Sequence, residues 1–272
     1  MTETDQMLTS ILKCRPVDLI ARKGLLTTQQ KSRYTQMKAQ RASGHPLQYI
    51  IGHCDFMGTM LLVDDRVLIP RPETEILVDF VIKQTKSKSL TDPINVLDLG
   101  TGSGNIAITL AKHLKNSSVT AVDVSQEALV LANENARANE VASQITFVCE
   151  DMIVYLKKTA ERGVKFDLII SNPPYIPTAH IDTLPFDVRW EPRLALDGGE
   201  DGLRFYRSIA FYGYRLLSSI GSLCFEIGDD QMKAITEIFQ QFSQYQDLCF
   251  HTDYVGTDRF GVVHRVDSFS QK

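Results

Sequence analysis

A chain of 272 residues with a net charge of −4, 43% hydrophobic and 23% charged, has the balance of an ordinary globular protein with room for two domains. The acidic total argues against a protein that lives on nucleic acid, and no apolar run reaches membrane-spanning length. Five dispersed cysteines without a CxxC pair, and histidines without ligand spacing, argue for reduced thiols in a cytoplasm and against a disulfide framework or a metal site.

The opening MTETDQMLTS has neither the basic nor the apolar part of a signal peptide. Leu8, Ile11, Leu12, Leu19 and Ile20 recur at helical spacing, which predicts a small helical domain over 1–45. That segment holds eight Lys or Arg against three acids, a net +5, leaving −9 on the rest. Solvated helix faces explain such a bias, and a partner-docking surface is the second reading. Residues 46–75 form a separate hairpin and linker segment, because "LQYIIGHCDFMGTMLLVDDRVLIP" (47–70) is rich in strand formers and carries Gly52 and Gly58. Pro72, followed by Glu73 and Glu75, has the signature of a helix start. Residues 85–93 are a polar connector.

From 94 onward strands and helices alternate. Strands are expected at 94–99, 119–124, 145–149, 167–171 and 222–228, with closing strands near 248–266. Helices are expected at 105–114, from the Ser125 cap to 139, at 203–217 and at 230–242. Near-continuous apolar strands between helices predict an α/β domain over 76–272, a doubly wound and mainly parallel sheet with its ligand at the carboxyl ends of the strands.

"VLDLGTGSGNIA" places Gly100, Thr101, Gly102, Ser103 and Gly104 between the first of these strands and its helix, where glycines let backbone approach a ligand. Asp123 closes the next strand, the place for a carboxylate that accepts from ribose hydroxyls. The loop does not name its nucleotide. A dinucleotide fits the pattern, which makes a dehydrogenase a live reading, and so does S-adenosylmethionine. Glu150 and Asp151 could face the adenine in either case.

The deciding stretch is "DLIISNPPYI" (167–176), a strand that ends in a rigid, extended Asn172-Pro173-Pro174-Tyr175 ledge. A dehydrogenase gains nothing obvious from it. A conjugated NH2 group, however, is a poor nucleophile because its lone pair is delocalised. Two acceptors aimed at its hydrogens, the Asn172 side-chain oxygen and the Pro173 carbonyl, would turn a lone pair toward a methyl carbon. Tyr175 could stack on the planar group. Such catalysis works by orientation and preorganised dipoles, without a tuned base.

The chain resembles the class I S-adenosylmethionine-dependent methyltransferases, and more closely the bacterial release factor glutamine methyltransferases of the HemK/PrmC type. "GHPLQYIIG" (44–52), "VLIPRPETE" (67–75), "VLDLGTGSGNIAI" (96–108), "FDLIISNPPYI" (166–176), "WEPRLALDGGEDGL" (190–203), "LCFEIGDDQ" (223–231) and "GTDRFGVV" (256–263) carry the resemblance. "IPRPETE" joined to "NPPYI" is its most specific part.

The resemblance implies a seven-stranded, Rossmann-like catalytic sheet and N5-methylation of the glutamine in the GGQ loop of class I peptide chain release factors. S-adenosylmethionine would sit on Gly100 to Gly104, Asp123, Met152 and Asn172, and the glutamine amide on Asn172, Pro173, Pro174 and Tyr175. Arg71 and Glu73 would border the cofactor pocket. Glu191-Pro192 and Gly198-Gly199 would belong to a lid or docking loop. No metal, membrane or stable nucleic-acid binding is implied, and a cytoplasmic monomer is expected. The family usually carries about one more helix at the front, which bears on the grip of the partner. The same chemistry on a ribosomal-protein glutamine or a nucleic-acid adenine amino group is the alternative. A cofactor-binding adaptor without catalysis would have no use for the ledge.

Overall fold

The computed structural model describes residues 1–21, 26–87 and 93–266. Residues 88–92 of the expected polar connector, and Arg22 and Lys23 of the basic set, lie outside the described residues. The front of the chain is helical: α1 (Glu3–Leu12), α2 (Pro16–Ala21) and α3 (Thr28–Ala42), followed by the short α4 (Leu47–Ile51). Thr2 with Asp5, and Thr27 with Gln30, form capping boxes that satisfy the first N–H groups of α1 and α3. Met7, Met37, Leu47 and Ile50 make a small core between these helices, and Arg41 pairs with Glu3 at 2.9 Å across it.

Helix α4 differs from the expectation of strands at 47–52. Its Leu47, Ile50 and Ile51 are spaced for one helix face, and Gly52 ends it at φ 86°. The hairpin begins only afterwards, with β1 (His53–Phe56) and β2 (Thr59–Leu62) joined by Met57-Gly58, both at positive φ, the two-residue turn that matches strand twist.

Beyond it come α5 (Pro72–Ser87), β3 (Ile94–Leu99), α6 (Asn105–His113), β4 (Ser117–Asp123), α7 (Gln126–Ala138), β5 (Ile145–Cys149) and α8 (Met152–Glu161). The chain continues through β6 (Phe166–Ser171), α9 (Arg204–Leu216), β7 (Leu217–Glu226), α10 (Met232–Phe239), β8 (Tyr245–Thr252) and β9 (Asp258–Arg265). Seven strands form one sheet in the order β5-β4-β3-β6-β7-β9-β8, parallel except for β9, which runs against both neighbours. This is the seven-stranded, Rossmann-like sheet that the resemblance implies. Helices α5 and α6 cover one face around Leu77, Val81, Ile106 and Leu110, and α8, α9 and α10 the other around Leu156, Tyr206, Ile209 and Phe239.

Strand β7 starts at Leu217, five residues before the expected 222. Ser218, Ser219 and Gly221 read as loop in the sequence, yet Leu217 already pairs with Phe166 and is fully buried, and the extra residues bulge out of β7 before pairing resumes at Leu168 and Ser222.

Strand order reverses beside β3. The chain leaves β3 toward β4 and β5, then returns to lay β6 on the other side of β3. Ligands bind at such a switch point because the loops after the two central strands part there.

Candidate active site

Register, more than any single contact, assembles the site. Leu99 pairs with Val122 on one side and Ser171 on the other, and Ser171 pairs with Phe225. The next residue of each strand therefore falls in one row along the carboxyl edge: Asp123, Gly100, Asn172 and Glu226. The hydroxyl of Ser171 donates to the Leu99 carbonyl at 2.8 Å and closes the seam between β3 and β6.

The glycine loop is held from below and behind. Gly100 and Thr101 donate backbone N–H groups to Val122 at 2.9 and 3.0 Å, and the Thr101 hydroxyl donates to buried Asp98 at 2.7 Å. Burial pushes the Asp98 carboxyl up to about 7. Gly104 has φ 82°, and a Cβ there would lie 2.8 Å from Ile108 Cδ1, so the entry to α6 admits only glycine without strain. Asn135 of α7, 1% exposed, donates to the Ser103 carbonyl at 2.9 Å and to the Leu62 carbonyl at 3.0 Å, and accepts from Leu62 N–H at 2.7 Å. One amide thus ties the loop to the hairpin.

A cleft of about 370 Å³ opens over this row, with Gly100, Gly102, Asp123, Met152, Asn172 and Pro174 in its wall. Thr101, Ser103 and Gly104 shape the loop from behind and do not line it. Asp123 accepts from Gly102 N–H at 2.8 Å through one oxygen and from Ser125 N–H at 3.0 Å through the other. Each oxygen keeps a lone pair for a further donor. Burial raises this carboxyl above the ordinary range, against the backbone N–H groups of Ser125, Gly102 and Val124.

The expectation for Glu150 and Asp151 changes. Glu150 is ion-paired with Lys158, and Asp151 spends its carboxylate capping α8 through Ile153 and Val154 N–H at 2.9 and 3.1 Å. Only Asp151 of the two borders the cleft, together with Met152.

Asn172 donates its amide nitrogen to the Thr74 hydroxyl at 3.0 Å, and Thr74 donates to Glu226 at 2.5 Å. Thr74 and Glu226 are 1% and 2% exposed. The Tyr175 hydroxyl reaches the other Glu226 oxygen at 3.4 Å. Burial pushes the Glu226 carboxyl up to about 7, against the hydrogen bonds from Thr74 and Tyr175. Pro173 is buried, and Pro173 and Tyr175 stand behind the cleft wall. Gln231 holds the Tyr175 carbonyl at 3.0 Å.

Arg71 and Glu73 do not line the cleft; Arg66, Val67 and Leu68 do. Arg71 instead pairs at 2.5 Å with Glu191, which also accepts from Ile69 N–H at 3.1 Å. The segment after the ledge is closed at its base, where Ile176 N–H donates to Leu196 at 3.0 Å and Gly198 N–H to Ile176 at 2.9 Å. Trp190 in that segment stacks on His45 at 3.8 Å, which sets it against the helical front of the chain. Gly199 and Pro192 line the cleft.

Thr74 and Glu226 are absent from the sequence-based site. Their signals were the quoted "IPRPETE" and a lone acid closing the apolar strand "LCFE".

The PrmC N-terminal domain family matches residues 2–52 and the methyltransferase small domain family residues 74–184. A release factor glutamine methyltransferase of Moorella thermoacetica is 42% identical over 233 residues, covering 86% of this chain and 80% of that protein. The chain belongs to the release factor glutamine methyltransferases. The family member of Streptococcus pneumoniae is 40% identical over 243 residues, covering 88% of this chain and 82% of its own length. A SAM-dependent methyltransferase of Agrobacterium tumefaciens shares the fold, with a TM-score of 0.56 at 16% identity over 78% of this chain and 69% of that one.

Proposed function

We propose that the enzyme transfers a methyl group from S-adenosylmethionine to the side-chain nitrogen of the GGQ glutamine of class I peptide chain release factors. Asn172 carries the reading. It stands in the row of the glycine loop and Asp123, its amide nitrogen is bound behind it by Thr74, and its oxygen is left for an N–H donor.

The residues present fit the cofactor. A Cβ on Gly100 would stand 3.5 Å from Met152 Cε and 3.8 Å from the Asn172 carbonyl, so its absence leaves the room that a ligand would fill. Gly100 and Gly102 would border the amino-acid end, with Thr101, Ser103 and Gly104 shaping the loop behind them, Asp123 would accept from the ribose hydroxyls, and Met152 would supply an apolar surface for the base. Bound there, S-adenosylmethionine supplies an electrophilic methyl carbon on a sulfonium.

The chain's own part is orientation. Asn172 Oδ1 and the Pro173 carbonyl accept the two hydrogens of the glutamine amide and turn its lone pair toward the methyl carbon. Pro174 fixes the backbone that carries the second acceptor. Tyr175 stands behind the cleft wall with its hydroxyl on Glu226, so only its ring would be left to back the planar group. The nitrogen would release one proton to solvent on taking the methyl group.

No helix among the described residues is long and apolar enough to cross a membrane, and the acidic charge supports a protein rather than a nucleic-acid partner.

Labelled S-adenosylmethionine with a purified release factor and with its GGQ→GGA variant tests this. Label on the wild-type factor and none on the variant is expected. Label that survives loss of the glutamine overturns the proposal.

A further inference from the structure

Asn172 could serve as an acceptor only with its oxygen toward the cleft. An asparagine amide is nearly symmetric in shape, so packing alone does not choose between its two orientations. What lies behind it does.

We propose that Glu226 and Thr74 are positioning residues that fix which end of the Asn172 amide faces the substrate. This rests on the reading of Asn172 as an acceptor. Thr74 has one proton, and it is given to Glu226 Oε2 at 2.5 Å. The face of Thr74 toward Asn172 then holds lone pairs only, so Asn172 must present its NH2 there, at 3.0 Å, and its oxygen to the cleft. The same carboxylate takes the Tyr175 hydroxyl on Oε1 at 3.4 Å. One buried group thus holds both ends of the Asn-Pro-Pro-Tyr ledge. Its main chain is fixed as well, because the Tyr206 hydroxyl donates to the Glu226 carbonyl at 2.8 Å.

Ionisation matters to this device. A proton on Oε2 would satisfy Thr74 as a donor, free the hydroxyl hydrogen, and let Asn172 turn its oxygen inward. The groups facing Glu226 are Thr74 and Glu73 of α5, Tyr175 of the ledge, Tyr206 of α9 and Arg259 of β9. Burial opposes its charge, and Arg259 and the two hydroxyl donors favour it.

The test compares Thr74→Val, which keeps the shape and removes the hydroxyl, with Thr74→Ser, which keeps the hydroxyl, and with Asn172→Ala. We expect Thr74→Val to lower kcat by about 10-fold, the weight of one misdirected hydrogen bond. The cofactor Kd and the KM for the release factor should stay within about twofold, since Thr74 touches neither ligand. Thr74→Ser should restore most of kcat. Wild-type kcat should rise as pH increases through about 7, the neighbourhood to which Glu226 is pushed, and Glu226→Gln should lose that limb. Wild-type kcat in Thr74→Val, beside an inactive Asn172→Ala, overturns the relay and leaves the acceptor reading intact. An active Asn172→Ala overturns the acceptor reading itself.

Discussion

Arg71 and Glu191 meet at 2.5 Å although they stand 120 positions apart in the chain. Side-chain exposure is 2% for Glu191 and 30% for Arg71. Burial raises the Glu191 carboxyl above its usual range while Arg71 and Ile69 N–H pull it back. The pair joins the segment before α5 to the segment after the ledge.

Removing one partner of such a pair strands the other charge. Arg71→Ala is expected to destabilise the fold by about 2 kcal/mol, below the ~3–5 kcal/mol of a fully buried pair because Arg71 is partly solvated. Glu191→Gln, which can still accept from Ile69, should cost less. Urea unfolding of the two variants checks this, and equal losses would show that the charge is not what matters.

Asn172→Ala should cut turnover by at least ~10²-fold, the usual loss when one oriented polar group is removed from an active site. Single-turnover kinetics with saturating release factor would measure it. A rate close to wild type would discard the two-acceptor account.

Asp123→Ala should act on cofactor affinity first. Two backbone donors, Gly102 and Ser125, already lean on this carboxylate, so the variant also loosens the loop. A weakening of about 10-fold or more in the S-adenosylmethionine Kd is expected from lost charge-assisted bonds. Titration calorimetry would show it, and an unaltered constant refutes the ribose role.

Asn135→Ala leaves the Ser103 carbonyl and both backbone groups of Leu62 without their partner. A cost of about 2 to 4 kcal/mol follows from burying those groups unpaired. Thermal unfolding of apo and cofactor-loaded protein should show the loss in both.

Asp98 and Glu226 both sit near 7 in the fold, against about 4 in an unfolded chain. Between those values the folded state binds more protons, so stability falls as pH rises through the interval. Unfolding free energy should therefore be lower at pH 8 than at pH 5.5. Asp98→Asn should flatten part of the slope, and a slope unchanged in that variant would assign it elsewhere.

The catalytic sheet was largely legible. The strands at 94–99 and 145–149 match to the residue, because an apolar run bounded by loop chemistry needs only its own neighbours to be read. The same reasoning failed at 47–51, where strand-forming residues lie on one face of a single helical turn, and at 217–221, where serines hide a strand that only β6 makes. Of the expected site residues, Gly100, Gly102, Asp123, Met152, Asn172 and Pro174 line the cleft. Arg71 and Glu73 were expected at the cofactor pocket, but the structure turns Arg71 to Glu191. Thr74 and Glu226, absent from that reading, proved to hold Asn172 and Tyr175.

What the sequence determines is what acts over a few residues. The glycine turn, the helix starts at Pro72 and Ser125 and the rigid ledge are written in local backbone preferences, and they suffice to name a planar amino group as acceptor. What only the tertiary structure decides is which of these local devices meet. Parallel crossovers bring Asp123, Gly100, Asn172 and Glu226 into one row, and α5 inserts Thr74 between Asn172 and Glu226 across separations of 98 and 152 residues. A hydrogen bond between side chains that far apart leaves no periodicity along the chain. Only strand register and the packing of α5 place its two ends within reach.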